Sequence, residues 1–94
     1  MKFDWDEEKD AYNQKEHRVS FEDAVEAFSD PDRLIVFDEQ HSALEKRWFC
    51  IGKVGSRVLT VRFTVRDNTV RIIGAGQWRK WRKEYETHKK QKER

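Results

Sequence analysis

The stretch Arg57 to Ile73, RVLTVRFTVRDNTVRII, constrains this chain more than any other. Leu59, Val61, Phe63 and Val65 fall on one face of a strand, and Thr60, Arg62, Thr64 and Arg66 fall on the other. Asp67-Asn68 reads as a two-residue hairpin turn, because Asn and Asp tolerate positive φ. That turn sets a register: Phe63 opposite Ile72, Val65 opposite Val70, and Thr64 opposite Arg71. One face is then apolar enough for a core. The other gathers Arg62, Arg66 and Arg71, with Arg71 diagonal to both of the others. Guanidinium groups held on a rigid sheet suit phosphate, which their planar fork binds bidentately. The competing reading is the solvated outer face of an ordinary antiparallel sheet.

The 94 residues fit a single domain with a modest core. Charged residues make up 40% of the chain, yet 13% aromatics supply enough apolar area to fold it. No apolar run is long enough to span a membrane and no signal peptide is visible, so a cytoplasmic protein is expected. The lone Cys50 has no partner for an intramolecular disulfide and reads as a small core residue in a reducing compartment. His17, His41 and His88 are scattered, without metal-ligand spacing, so neither metal nor other cofactor is expected. The net charge of +2 hides an asymmetry. Residues 1–46 hold 14 acidic and 6 basic side chains, a net of −8, and residues 47–94 hold 4 and 14, a net of +10. A basic half of that size points to a polyanionic partner.

Along the chain, Met1 to Phe3 reads as a possible short strand. A first helix follows, capped by Asp4 or Asp6 and running to about Glu16, with Trp5 and Tyr12 packed inward. Ser20 caps a second helix, Val19 staples to Ala24, and Phe21, Ala24, Val25 and Phe28 make its apolar stripe. Asp30-Pro31 stops it. Leu34 to Phe37 is a buried strand, Asp38 to Glu45 a polar loop, and Arg47 to Ile51 the next strand. The turn over Lys53 to Ser56 admits two registers. A loop centred on Val54-Gly55 sets Arg47 opposite Arg62 on the arginine face, and a three-residue loop with a bulge at Gly55 flips Arg47 away. Gly74-Ala75-Gly76 breaks the sheet. Gln77 to about Lys90 is a basic helix with Trp78, Trp81 and Tyr85 on one stripe, packed on the sheet, and residues 88–94 fray. The expected architecture is α+β: two N-terminal helices on a four-stranded antiparallel sheet, with a C-terminal basic helix.

The order FDWDEEK with Asn13 behind it, His17 followed by VSFEDAVEAF, Asp30, Asp38, RWFCIG, and RII followed by Ala75 resembles the BrnT family. These are small ribonuclease toxins of bacterial type II toxin–antitoxin systems. The resemblance implies a RelE-like fold, metal-independent endoribonuclease activity, and a BrnA-like ribbon-helix-helix antitoxin that silences the toxin and carries the complex to operator DNA. It implies roles for His17, Arg47 and Arg71 in catalysis. Glu16 and Arg18 stand where the family has Lys and Gly, and Gly74 and Gly76 where it has Ser and Arg. An alternative is therefore a catalytically weak or inactive member, acting as an antitoxin-binding co-repressor or RNA-binding module.

Metal-free RNA cleavage needs a group to take the 2′-OH proton, a proton for the 5′ leaving oxygen, and cations for the crowded phosphorane. His17 or His41 suits the first task, since imidazole titrates near neutrality. The competing readings are local capping or packing for His17 and plain surface for His41. Arg47, Arg71 and Arg62 suit the last task. Arg62 and Arg66 on the sheet, with Arg79, Lys80, Arg82 and Lys83 on the final helix, are the candidate RNA-binding residues. Gly52-x-x-Gly55 is a hairpin turn rather than a phosphate-cradling loop.

Overall fold

The computed structural model describes residues 1–93. In chain order they form β1 (Lys2–Asp4), α1 (Glu7–His17), α2 (Phe21–Val25), β2 (Leu34–Phe37), β3 (Trp48–Val54), β4 (Arg57–Arg66), β5 (Thr69–Gly76) and α3 (Arg79–Lys92), with 3-10 turns at Glu26–Ser29 and Glu39–His41. The sheet has five strands in the order β1-β5-β4-β3-β2. The expected four antiparallel strands are all present. The fifth, β1, runs parallel to β5 and sets Phe3 beside Val70. Three residues carry too little alternation to reveal a partner more than sixty residues away.

The central hairpin has the register its pattern requires, with Phe63 beside Ile72, Thr64 beside Arg71 and Val65 beside Val70. Asp67 and Asn68 both take positive φ, 50° and 61°. Between Arg62 and Phe63 the register shifts, leaving Ile73 as an extra residue on β5. Gly74, Ala75 and Gly76 belong to β5 rather than ending it, so the expected break is corrected. Gly76 is small because the Trp78 ring lies against it: a Cβ there would meet Trp78 Cη2 at 2.6 Å.

The second helix starts at its expected cap, Ser20, and of the two candidates for the first helix Asp6 rather than Asp4 is the cap. Asp6 accepts from the N–H groups of Glu8 and Lys9, and Ser20 accepts from that of Asp23. Tyr12 does not pack inward. It is 64% exposed, because Trp5 precedes the helix and shares no stripe with it. The helix is anchored instead by buried Asn13. The second helix tightens into its 3-10 turn, which buries Ala27. Gly52 lets that turn sit close, since a Cβ there would lie 2.3 Å from the Ala27 carbonyl oxygen.

Helices cover both faces of the sheet. On one side Val19, Phe21, Ala24 and Ala27 pack against Cys50, Leu59, Val61, Phe63, Val70, Ile72 and Ala75, with Phe28 edge-on to Phe63 at 5.1 Å. On the other side α3 covers β3 and β4, burying Ile51, Thr60 and Tyr85. The arginine face is therefore only half open. Trp81 and Tyr85 pack on the sheet, and the Trp78 ring lies against Gly76 of β5, although Trp78 is the N-cap residue outside α3 and stays 41% exposed. The helix continues past residue 88 to Lys92, whose Nζ reaches the Pro31 carbonyl and Asp32. No helix among the described residues is long and apolar enough to cross a membrane.

Candidate nucleic-acid interface

The open half of the arginine face is organised around Thr64. This residue is buried, and its Oγ1 donates to the Lys46 carbonyl at 2.7 Å, which ties the preceding loop to β4. Arg71 is its partner on β5. On the other side the pairs Val54–Arg57 through Trp48–Phe63 bring Arg47 next to Thr64. The turn is thus the two-residue loop Gly55-Ser56, with Gly55 at φ 62°. Neither register expected for this turn is the one formed: Arg47 shares the arginine face, as a loop centred on Val54-Gly55 would have it, but its neighbour is Thr64 rather than Arg62. With strands spaced about 4.8 Å apart, the backbones of Arg47 and Arg71 flank Thr64 about 10 Å from one another. Arg62 and Arg66 project from the same face of β4, two residues to either side.

Two carboxylates meet these four guanidinium groups. Glu45 takes a bidentate pair from Arg66, at 3.1 and 2.9 Å, and lies 4.0 Å from Arg47 Nη2. The Arg66 hydrogen bonds, backed by the charges of Arg66, Arg47 and Arg71, hold the Glu45 carboxyl below its usual range against the opposing effect of burial. Asp4 Oδ1 sits 3.3 Å from Arg71 Nη1. Arg66 is therefore committed to Glu45. Arg62 makes no hydrogen bond or ion pair among the described residues, and the Nε groups of Arg47 and Arg62 are buried without a partner. The cluster keeps an excess of two positive charges, the electrostatic state an anionic ligand would complete.

His41 is more than surface. Its Nδ1 lies 3.1 and 3.0 Å from the two oxygens of Asp38, which is only 6% exposed. A carboxylate in that position accepts from Nδ1–H and orients the ring, and in the neutral ring Nε2 is then the acceptor. The Asp38 N–H donates to the Arg47 carbonyl at 2.9 Å, so this dyad and Arg47 are joined through the backbone. His41, Leu44, Glu45 and Arg47 line one shallow concavity of about 270 Å³. Sequence reasoning missed the dyad, although the i, i+3 spacing of Asp38 and His41 was a signal. His17 lies elsewhere. It ends α1 with its ring 5.4 Å from that of Trp78, at the Gly76 end of β5. Gly76 is about 15 Å along the strand from Arg71. The structure brings Arg47, Arg62 and Arg71 together and leaves His17 apart.

Arg79, Lys80, Arg82 and Lys83 are all exposed on the first turns of α3. Their helix starts without a side-chain cap or an acidic residue, and its first backbone bond is Arg82 N–H to the Trp78 carbonyl. Between this end and the sheet lies a second concavity of about 240 Å³, lined by Phe49, Thr60, Arg62, Trp78, Lys80 and Trp81. Burial pushes the Cys50 thiol up to about 12, which removes it as a nucleophile. No group of three His, Cys, Asp or Glu side chains suited to a metal occurs among the described residues.

A family model described as "Ribonuclease toxin, BrnT, of type II toxin-antitoxin system" matches residues 5–84. That span runs from Trp5 to the second turn of α3 and includes every residue of the arginine cluster except Asp4. No curated protein matches the chain.

Proposed function

This chain belongs to the BrnT family of ribonuclease toxins of type II toxin–antitoxin systems, and we propose that it cleaves RNA on the open half of its arginine face without a metal ion. The observation that carries this reading is the placement of Arg47 and Arg71 on either side of buried Thr64, with the Asp38–His41 dyad joined to Arg47. His41 Nε2 takes the 2′-OH proton. The 2′ oxygen attacks the adjacent phosphorus as the bond to the 5′ oxygen breaks, leaving a 2′,3′-cyclic phosphate and a 5′-hydroxyl protonated from solvent. Arg47, Arg71 and Arg62 stabilise the charge that accumulates on the phosphorane. Three fixed guanidiniums supply what a Lewis acid would otherwise provide.

The antitoxin that the family implies is, in this reading, a BrnA-like ribbon-helix-helix protein, through which the complex reaches operator DNA. We place the toxin in the cytoplasm with its RNA substrates, a setting that buried, unpaired Cys50 fits. Purified protein in excess EDTA should cut RNA to products with cyclic phosphate ends and leave DNA intact. Cleavage that requires added metal, or that also cuts DNA, would sink the mechanism.

A further inference from the structure

We propose that the slot under the amino end of α3 holds one nucleotide unit of the RNA. Its phosphate lies between Arg62, Lys80 and the free α3 amides, and its base lies against the Trp78 indole. This deepens the ribonuclease reading and rests on it. The first turn of α3 concentrates cations where the helix dipole is already positive, and neither an acid nor a capping side chain offsets them. Such an end repels itself unless an anion occupies it, and the unbonded amides of the first turn point the same way.

The slot carries its own independent signs of a ligand. Thr60 is only 1% exposed, and its Oγ1 has no hydrogen-bond partner among the described residues. Buried hydroxyls are rarely left so, and a valine of the same shape would have avoided the cost. Arg62 Nε, lining the same slot, is likewise unpartnered. The floor beside Arg62 is bare, because Gly74 stands opposite it and a Cβ there would find nothing closer than 3.9 Å. Trp81 packs on Phe49, its ring 5.1 Å away, whereas Trp78, with Gly76 under its ring and His17 5.4 Å away, still keeps 41% of its surface in solvent. An exposed indole beside cations is the pairing by which single strands are held, stacking for the base and charge for the backbone. At about 240 Å³ the slot falls below the size of drug-sized pockets, which fits one nucleotide unit. Arg62 belongs to both places, so a strand gripped at Trp78 is led along β4 to Thr64, about 13 Å away.

Calorimetric titration of the intact protein with AMP, adenosine and inorganic phosphate tests this. AMP should bind saturably, with phosphate and adenosine at least about tenfold weaker. Trp78→Ala should weaken AMP about tenfold and leave phosphate unchanged, while Lys80→Ala should weaken both. Circular dichroism checks that each variant folds, and Lys80 is exposed enough to keep the test valid if Trp78→Ala does not. Absence of saturable AMP binding, or AMP affinity unchanged in both variants, overturns the slot. The two readings fail separately. A protein that binds AMP but never cuts RNA keeps the slot and loses the ribonuclease mechanism. A protein that cuts RNA with the same KM in Trp78→Ala and wild type keeps the mechanism and loses the slot.

Discussion

Asn13 on α1 and Ala75 on β5 exchange two hydrogen bonds across 62 residues of sequence: the Ala75 N–H donates to Asn13 Oδ1 at 3.1 Å, and Asn13 Nδ2 donates to the Ala75 carbonyl at 2.9 Å. Strand β1 pairs with β5 only as far as Arg71, so the β5 edge beyond it has no neighbouring strand. The side-chain amide stands in for the missing peptide, and Nδ2 also caps the Val19 carbonyl at 2.8 Å. One amide thus fixes α1, the start of the second helix and the end of the sheet. Asn13→Ala would leave three buried backbone groups unpaired, at a cost of about 2–4 kcal/mol in urea unfolding. A loss below about 0.5 kcal/mol would mean that solvent reaches this edge.

Acid should unfold the protein partly through Asp30. Burial pushes this carboxyl up, but hydrogen bonds from the Tyr85 hydroxyl and the N–H groups of Lys53 and Asp32 outweigh it and hold the carboxyl below its ordinary value. A carboxyl whose folded value is depressed stabilises the fold above its unfolded value, 3.8. That contribution is lost as pH falls through the folded value. Tyr85 is pushed the other way, by burial and then by Asp30, so it remains a donor through the neutral range. Tyr85→Phe should cost about 1.5–3 kcal/mol at pH 7. It should also flatten the fall in Tm below about pH 4. An acid limb identical to wild type would show that Tyr85 does not hold the carboxylate.

The parts of the fold written in local chemistry were legible. Alternation fixed β4, positive-φ residues fixed its turn, and Ser20 fixed the start of the second helix, while the choice between Asp4 and Asp6 for the first was left to the structure. What was not legible depends on contacts between distant segments. The three residues of β1 find β5 only in three dimensions. The Gly55-Ser56 turn is set as much by burying Cys50 and Val61 on one face as by turn chemistry. At the site, arginine spacing showed which guanidiniums share a face, but not that Glu45, from a loop, would claim Arg66. The i, i+3 spacing of Asp38 and His41 was legible, but not that the fold would bury the Asp38 carboxylate that orients His41 and leave His17 beside an indole.

The dyad makes a prediction that separates the two histidines. His41→Ala removes the proposed base and should lower kcat for RNA cleavage about 10²–10⁴-fold with little change in Tm. Asp38→Asn keeps the shape but offers Nδ1 a different partner, so the ring loses its orientation and kcat should fall. His17→Ala should leave kcat near wild type. If His17→Ala abolishes cleavage while His41→Ala does not, the base lies at the Trp78 end of β5 and the centre of the reaction moves there.

Arg71 gives the sharpest test of the arginine face. It is partly exposed and its ion pair is with Asp4, itself about half exposed, so the pair adds only about 0–1 kcal/mol to stability. Removing a donor aimed at charge that develops in the transition state costs far more, roughly 10²–10³ in rate. Arg71→Ala should therefore keep its melting temperature and its antitoxin binding yet lose toxicity and RNA cleavage, and Arg47→Ala should behave alike. Arg57 is the control. It lies at the start of β4, 3.3 Å from Asp23 on the helix-covered side, so Arg57→Ala should lose a little stability and stay toxic. Growth of cells expressing each variant, with RNA integrity read from the same cultures, decides between the outcomes. An Arg71→Ala protein that unfolds would make Arg71 a structural partner of Asp4. One that cuts RNA at the wild-type rate would remove Arg71 from the mechanism, and with it the pair of guanidiniums flanking Thr64 on which that mechanism rests, because no other guanidinium faces Thr64 from β5.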